Sequence, residues 1–588
     1  MQPRHRVADL VWLMYILGIC EQENHAAAAL VCDGQLVAAV EANDLAPLCP
    51  VGLTYTQGIC RAINFCLDRA GIGFDQINFV AYSFDSEKFF HREGAFYSSR
   101  GAQAADVSPG QLFSRCLIEK LNGLKERPRT RELIEPLLPP EGQFVFIDHH
   151  IAHGASGFYP SGFDRAAVIS LCNREDFASA SIMSGEGHRL ILHRDATFPN
   201  SIGMVYSSVT SALGFGRNMD CHKTMWLSAT GEPEFADVFE ELLDVDSEGL
   251  PLVDLEYFVS SDEGELSLSK RFYERTGLRP RLEDEPITRI HRNIARSLQS
   301  RVEDVLCEMA IRLREQMGYE YLCLAGGISL NNFANAAIER RAGYKGMFVQ
   351  PAASNVGCCL GAALYVWHQL LGNCERVYKM NHVFLGPQFT DEQVKVVLDN
   401  CKLTYQYFPV DDRFLAEVAR LLSHGSIVGW FRGAMELGPR AMGARSILAS
   451  PTDELMRDNL NRFIKRREDF HPFSAAVPEE QVEEFFESGA LTEFIQSVTR
   501  ARNGLANLIP AAMFGNGLVR VHSVSSKTNR PLWNLLLKFG EITGVPILLN
   551  TSFNFFGEPI VSSPREAVRN FYSSGIDCLA IENFLVKK

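Results

Sequence analysis

The sequence has no apolar run long enough to cross a bilayer, no biased or repetitive tract and no surplus of basic charge. The first absence removes a spanning helix. The most apolar N-terminal stretch, "VWLMYILGI", has nine residues, against the roughly 20 that a bilayer core requires. It follows Arg4 and Arg6 as a signal peptide would, but "CEQENH" comes next where a small-residue cleavage site would stand. Met14–Cys20 is therefore expected to be the first core strand, with residues 1–13 an upstream extension and the cytoplasm the compartment. The missing basic surplus, 57 Lys and Arg against 71 Asp and Glu for a net charge of −14, argues against a broad nucleic-acid surface. Fifteen cysteines are present, but several sit in apolar runs such as "YLCLAGG", and Cys358 and Cys359 are adjacent. That usage predicts buried, reduced thiols and not a secreted disulfide framework.

What remains is a globular α/β chain of 588 residues, long enough for two or three domains. Two similar stretches stand out. "MYILGICEQ" leads through "ENH" to "AAAALVC", and Asp33-Gly34 turns into "QLVAAVE". Later "AAVISLCN" leads through "REDF" to "ASASIMS", and Gly185-Glu186-Gly187 turns into "HRLILHR". Two copies of a strand followed by a hairpin predict an internal duplication. Helices are expected at 110–124 and 289–317, the latter stopping at Gly318. Residues 370–390 carry the expected linker, placed at 376–390, and a second α/β unit runs from 391 to the end.

Four groups of residues carry chemistry. In "DHHIAHGAS", His149 and His153 are one helical turn apart, so both rings face one side. That spacing suits two ligands to one metal, or a capped helix start with locally bonded histidines. "LAGGISLNN" places a Gly-Gly turn between a strand and a helix start, which suits phosphate or simply tight packing. "MELGPRAMGARSILASP" and "NRFIKRREDFHPFSAAV" gather Arg440, Arg445, Lys465, Arg466 and Arg467. Interleaved with apolar and turn residues, these cations predict an anion pocket more than a solvated face. "LLNTSFN" adds Asn550, Thr551 and Ser552 after a buried strand, and Arg520 a further guanidinium.

Taken in order, "DHHIAH", "LAGGISLNN", "ELGPRAMGARSIL", "IKRREDFHPF" and "LLNTSFN…GEPIV" resemble the signature set of the carbamoyltransferases typified by NodU and by antibiotic O-carbamoyltransferases. The resemblance runs from Met14 to the end. It implies a duplicated actin/hexokinase-type ATPase-like domain (14–375) followed by a YrdC-like α/β domain (391–588). It also implies an enzyme of secondary metabolism, antibiotic biosynthesis included. Such an enzyme would use ATP with Mg2+ and carbamoyl phosphate to make carbamoyl adenylate, then pass the carbamoyl group to a hydroxyl or amine of a small molecule. By motif position, Arg440, Lys465, Arg520 and Ser552, with Arg467, His471 and Asn550, would hold carbamoyl phosphate or nucleotide. His149 and His153 would bind a metal, typically iron, and His25 would act as a base beside the acceptor. Gly326, Gly327, Asn331 and Lys223 would line the N-terminal nucleotide site. Neither nucleic acid nor membrane is an expected partner, and oligomeric state stays open, a homodimer included.

The chain departs from that pattern at chemical positions. Cys172 and Asn355 stand where the family has metal-binding aspartates, and His471 stands for an arginine. "DCHKTMWLSATG" replaces "GEYKVMGLAPYG", keeping Lys223 but introducing Cys221 and Trp226. "EANDLAP" replaces a basic "EERFTR" run. With two carboxylates gone, either the metal is lost or weakened, or Cys172 completes a softer His2Cys set favouring zinc or iron. Two further functions stay open: adenylation serving different chemistry, and a non-catalytic binding subunit.

Overall fold

The strand that opens each repeat is apolar on both faces, and this dictates the layers around it. In β1 (Tyr15–Gln22), Leu17 and Ile19 point into one core and Ile16 and Cys20 into another, all fully buried. Such a strand needs helices on both sides. We describe the protein from a computed structural model covering residues 13–22, 25–45, 55–85, 88, 135–173, 177–260, 266–487, 489–502, 504–555 and 557–588. The helix expected at 110–124 lies outside the described residues.

β2 (His25–Cys32) pairs antiparallel with β1, and β3 (Gln35–Glu41) with β2. After helix α1 (Tyr55–Ala70), β4 (Ile77–Tyr82) joins β1 in parallel and β5 (Gln143–Phe146) joins β4, giving the order β3-β2-β1-β4-β5. Helix α2 (His149–Phe158) then leads to β6 (Arg165–Leu171), β7 (Ala178–Glu186) and β8 (Arg189–Thr197). Helices α3 (Ile202–Ala212) and α4 (Cys221–Leu227) follow. So do two small hairpins, β9 (Leu243–Val245) with β10 (Pro251–Val253), and β11 (Phe258–Ser260) with β12 (Leu266–Leu268). The expected long helix is α5 (Arg289–Met317), ended by Gly318 in the left-handed conformation. Beyond it, β13 (Tyr321–Ala325), α6 (Asn332–Arg341) and β14 (Gly346–Val349) complete a second sheet ordered β14-β13-β6-β7-β8. Read from its hairpin edge, this order and its pairing senses repeat those of the first sheet. The predicted duplication is therefore present strand for strand, as the actin/hexokinase-type reading requires.

Helix α7 (Val356–Tyr365) is buried almost all round between β1 and α2, which explains its small-residue sequence "VGCCLGAALY". A Cβ on Gly361 would lie 1.8 Å from the Ala152 carbonyl oxygen, so no larger residue fits.

Residues 376–390 form a packed strap. Arg376 donates to the carbonyls of Phe158 and Tyr159, and the backbone of Leu385 and Gly386 bonds to Met435. Tethers of this kind hold the two domains in one arrangement, and Leu437, Met442, Phe494 and Ile495 share a core with Ala352, Val356 and Cys358.

The C-terminal domain is one mixed sheet of nine strands flanked by helices. Its strands are β15 (Tyr405–Tyr407), β16 (Val428–Phe431), β17 (Arg445–Ala449), β18 (Ser474–Pro478), β19 (Thr499–Arg500), β20 (Leu518–Val524), β21 (Leu548–Ser552), β22 (Cys578–Ile581) and β23 (Phe584–Lys587). They run in the order β15-β23-β22-β16-β17-β21-β18-β20-β19. Helices α8 (Asp411–Ser423) and α9 (Arg530–Thr543) cover one face. No helix among the described residues is long and apolar enough to cross a membrane. Every cysteine among them is a free thiol.

Candidate functional site

Arg520, on β20, is aligned across the sheet with Ser474 and, through it, with Asn550. Alignment in one row puts the three side chains on one face. Arg440, Arg467 and Arg520 act on one another electrostatically, and burial together with this mutual repulsion lowers the basicity of Arg467, to about 9, and of Arg520. Burial alone brings Arg440 to about 10. The carboxylate beside Arg467 is Glu468, which is paired with Lys223 at 3.2 Å. Buried donors stand without partners: Nε of Arg520 and Nη2 of Arg467, together with the ring nitrogen Nε2 of His471. Buried N–H groups of cations facing one another call for an anion with several oxygens.

The N-terminal domain closes this pocket. Helix α4 brings His222 within 5.7 Å of the His471 ring and sets the ring of Trp226 4.8 Å from the Arg520 guanidinium. Trp226 is itself fixed edge-on by Phe514 and packed on Phe333. Asn332, at the start of α6, accepts from Arg440 Nη2 at 3.1 Å and donates to the Ile495 carbonyl at 2.7 Å. The loop carrying Arg440 is shaped by Glu436, whose Oε1 accepts the backbone N–H groups of Met442, Ala444 and Arg445 at 2.8, 2.7 and 3.1 Å.

Several residues expected in the pocket do something else. Arg445 is fully buried against Phe431 and donates to the carbonyls of Gly433, Ala444 and Pro387, so it supports the fold. Lys465 donates to the carbonyls of Ser552 and Asn554 at 2.9 Å each and also to the Asn554 side chain. Ser552 in turn donates to Asn554 at 2.7 Å. Together these residues splice "IKRRED" to "NTSFN" and set the pocket wall. Asn550 donates to the Ala441 carbonyl, steadying the residue next to Arg440. Arg466 is exposed at the end of its helical turn, in the left-handed conformation. His471 lies well below the usual histidine range because of burial, Arg467 and His222. It is therefore neutral at physiological pH and does not replace the charge of the family's arginine.

The second expected centre also comes together. Asp148 caps α2 by accepting from the Ile151 backbone at 3.0 Å, which places His149 and His153 on its inner face. Cys172, just past the end of β6, meets them: its Sγ is 3.7 Å from His149 Nε2, and one ligand atom from each of the three lies within 4.8 Å of the others. All three are buried. Burial and the neighbouring His150 take His153 down to about 3, so its imidazole is neutral. Asn355 lies beside the His153 ring, and Cys358 Sγ is 3.8 Å from His149 Nδ1. The residues standing at the family's aspartate positions thus share one cluster. Two imidazoles and a thiol fit zinc or ferrous iron, and they do not fit magnesium, which takes oxygen ligands.

The other expected residues are dispersed. His25 opens β2 opposite Gln22, and its side chain lies outside what the structure describes. Gly326 has φ +88°, and a Cβ there would lie 2.2 Å from the Leu171 carbonyl oxygen. The glycine therefore lets β13 end beside the strand that carries Cys172, while Gly327 is open. Asn331 caps α6 and exchanges hydrogen bonds with Gln299, so its polar atoms are used within the domain. Lys223 joins Asp220 to Glu468 across the domain boundary, beside the C-terminal pocket. Trp226, Asn332 and Glu436 were not among the expected site residues. Only Trp226 carried a signal, since it is a large aromatic in a run where the family has glycine.

Two family models match the chain. The Carbamoyltransferase N-terminus matches residues 15–364 and the Carbamoyltransferase C-terminus residues 419–588. An uncharacterized protein of Synechocystis is 34% identical over 98% of this chain and 97% of its own length. Nodulation protein NolNO of Sinorhizobium fredii is 31% identical over 96% of this chain and 78% of its own. Among solved structures, HypF of T. kodakarensis matches with a TM-score of 0.35 at 10% identity, covering 62% of this chain and 49% of that one. The chain belongs to the carbamoyltransferase family, carrying both its N-terminal and its C-terminal domain.

Proposed function

We propose that the C-terminal pocket activates carbamoyl phosphate with ATP and that the N-terminal domain transfers the carbamoyl group to a hydroxyl or amine of a small molecule. The observation that carries this reading is the trio Arg440, Arg467 and Arg520 acting on one another, with unanswered buried donors on Arg467 and Arg520. Phosphate oxygens satisfy such donors two at a time and relieve the repulsion among the guanidinium groups. In balance, water cleaves carbamoyl phosphate to carbamate and phosphate. A carbamate oxygen then attacks the α-phosphorus of Mg2+-bound ATP, and pyrophosphate leaves. In the transfer step the acceptor oxygen or nitrogen attacks the carbamoyl carbon, AMP leaves, and the acceptor's proton passes to a base, the role we give to His25. His149, His153 and Cys172 would hold a metal that, when bound, polarises the carbamoyl carbonyl. The test is pyrophosphate release from ATP by the full-length chain, with and without carbamoyl phosphate. Dependence on carbamoyl phosphate is the expected result, and pyrophosphate release that ignores it would sink the proposal.

Trp226 has a separable part in this reading. With its ring 4.8 Å from the guanidinium of Arg520 and both side chains buried, the cation–π contact contributes up to about 2 kcal/mol, roughly thirtyfold. Trp226→Ala is expected to raise the KM for carbamoyl phosphate by about tenfold while leaving kcat within about twofold. Trp226→Phe should restore most of the loss. Equal falls in kcat for both variants would mean that Trp226 only packs the domain boundary.

A further inference from the structure

We infer that His222 of the N-terminal domain is a ligand contact of the arginine pocket, and that an oxyanion entering the pocket brings with it a proton carried on His222. This rests on the pocket reading above and adds to it a residue and a proton. Three observations converge. First, the two domains set two imidazoles against each other. The rings of His222, on α4, and His471 stand 5.7 Å apart between centroids, tilted by 57°. His471 Nδ1 lies 3.2 Å from the Glu468 carbonyl oxygen. A carbonyl only accepts, so the neutral His471 ring carries its proton on Nδ1 and leaves Nε2 as a bare lone pair. That nitrogen is buried without a hydrogen bond, and the ring facing it is His222. A buried lone pair calls for a donor.

Second, His222 is uncommitted. Its side chain is exposed to the cleft, and no hydrogen bond joins its ring to another described residue. Third, the charges around it are unbalanced. Desolvation takes His222 down to about 4, with Arg440, Arg467 and Lys223 adding to the effect and Asp220 opposing it. Glu468 sits in the same group but is paired with Lys223 at 3.2 Å. The ring is therefore neutral near pH 7 while the pocket is empty.

An oxyanion reverses that balance. One negative charge about 4 Å away, at an effective dielectric constant of about 20, raises a proton affinity by roughly a thousandfold. That is enough to bring such an imidazole back to its usual range. The proton comes from solvent. One ring N–H then donates to an oxygen of the anion, and the other is turned to His471 Nε2. On binding, the pocket thus gains a positive charge that an arginine at position 471 would hold permanently.

The probe is sulfate, a tetrahedral oxyanion that neither gains nor loses a proton near neutrality, so every proton exchanged belongs to the protein. Calorimetric titration of the full-length chain, at constant ionic strength in buffers of different ionisation enthalpy, counts those protons. At about pH 7 the wild-type chain is expected to take up at least about half a proton per sulfate, and His222→Gln close to none. Above about pH 4 the ring of the free chain is neutral and that of the bound chain charged. Sulfate affinity should therefore weaken as pH rises, by up to about tenfold per pH unit, until the bound ring also loses its proton. Between about pH 5.5 and about pH 7, His222→Gln should flatten this dependence and bind more weakly at the acid end. Circular dichroism verifies that the variant is folded. Undiminished proton uptake in His222→Gln overturns the inference and leaves the pocket reading intact, as does wild-type binding without uptake. A wild-type chain that binds no sulfate overturns both. Proton-linked binding alongside pyrophosphate release that ignores carbamoyl phosphate sustains the inference and sinks the proposed function.

Discussion

Arg520→Ala should lower kcat/KM for carbamoyl-phosphate-dependent pyrophosphate release by about 10²–10³-fold without destabilising the protein. Truncating one partner of a buried, charge-assisted contact costs about 2–5 kcal/mol, and every 1.4 kcal/mol is tenfold. The same residue is an electrostatic burden on the ligand-free fold, because it is desolvated and repelled by Arg440 and Arg467. Its removal should therefore leave the unliganded chain as stable as before, or more so, while activity collapses. Arg445→Ala is the contrasting control. That guanidinium carries the same charge in the same domain, but it donates to backbone carbonyls and stacks on Phe431. Its loss should lower stability by several kcal/mol because buried acceptors are left unmet. Denaturant melts and steady-state kinetics on the two variants, side by side, make the comparison. If Arg520→Ala behaves like Arg445→Ala, losing stability and activity together, the three arginines are a structural cluster and the pocket assignment fails.

The second large effect is expected at Glu436. One carboxylate oxygen gathers three backbone N–H groups from the loop that presents Arg440, and the side chain is 2% exposed. Glu436→Ala leaves those three donors buried and unpaired, at a cost on the order of 4 kcal/mol. Arg440 loses its anchor at the same time. Glu436→Gln keeps an acceptor oxygen and should recover roughly half of the stability, though not the charge-assisted strength of the carboxylate bonds. Urea titration measures both. A midpoint for Glu436→Ala close to wild type would mean that the loop rearranges to satisfy its own backbone, and that Arg440 is held by Asn332 instead.

What the sequence made readable was whatever repeats locally. Each half announces itself by an apolar strand and a hairpin turn, and the resulting sheets match in order and sense. The long helix ends where Gly318 says it should. His149 and His153 share a face because four residues make about one turn, and the family pattern linked them to Cys172 and Asn355. Tertiary partners were not readable. Arg440 and Arg445 stand five residues apart in one glycine-rich run, yet one reaches Asn332 of the other domain and its neighbour turns into the carbonyls of Gly433, Ala444 and Pro387. Lys465 looks like a ligand-binding cation until Ser552 and Asn554, nearly ninety residues later, are seen to surround it. That α4 would deliver Trp226 to Arg520 depends on how two domains dock, and docking has no period.

The docking has a consequence for how this protein can change over generations. Leu437, Met442, Phe494 and Ile495 from one domain and Ala352, Val356 and Cys358 from the other lie in a single apolar core, and the 376–390 strap is hydrogen-bonded to both sides. Neither half presents a finished surface at the boundary, so neither can be exchanged for a relative's without exposing that core. Recombination at this seam is discouraged by packing, and the two domains are inherited as a unit.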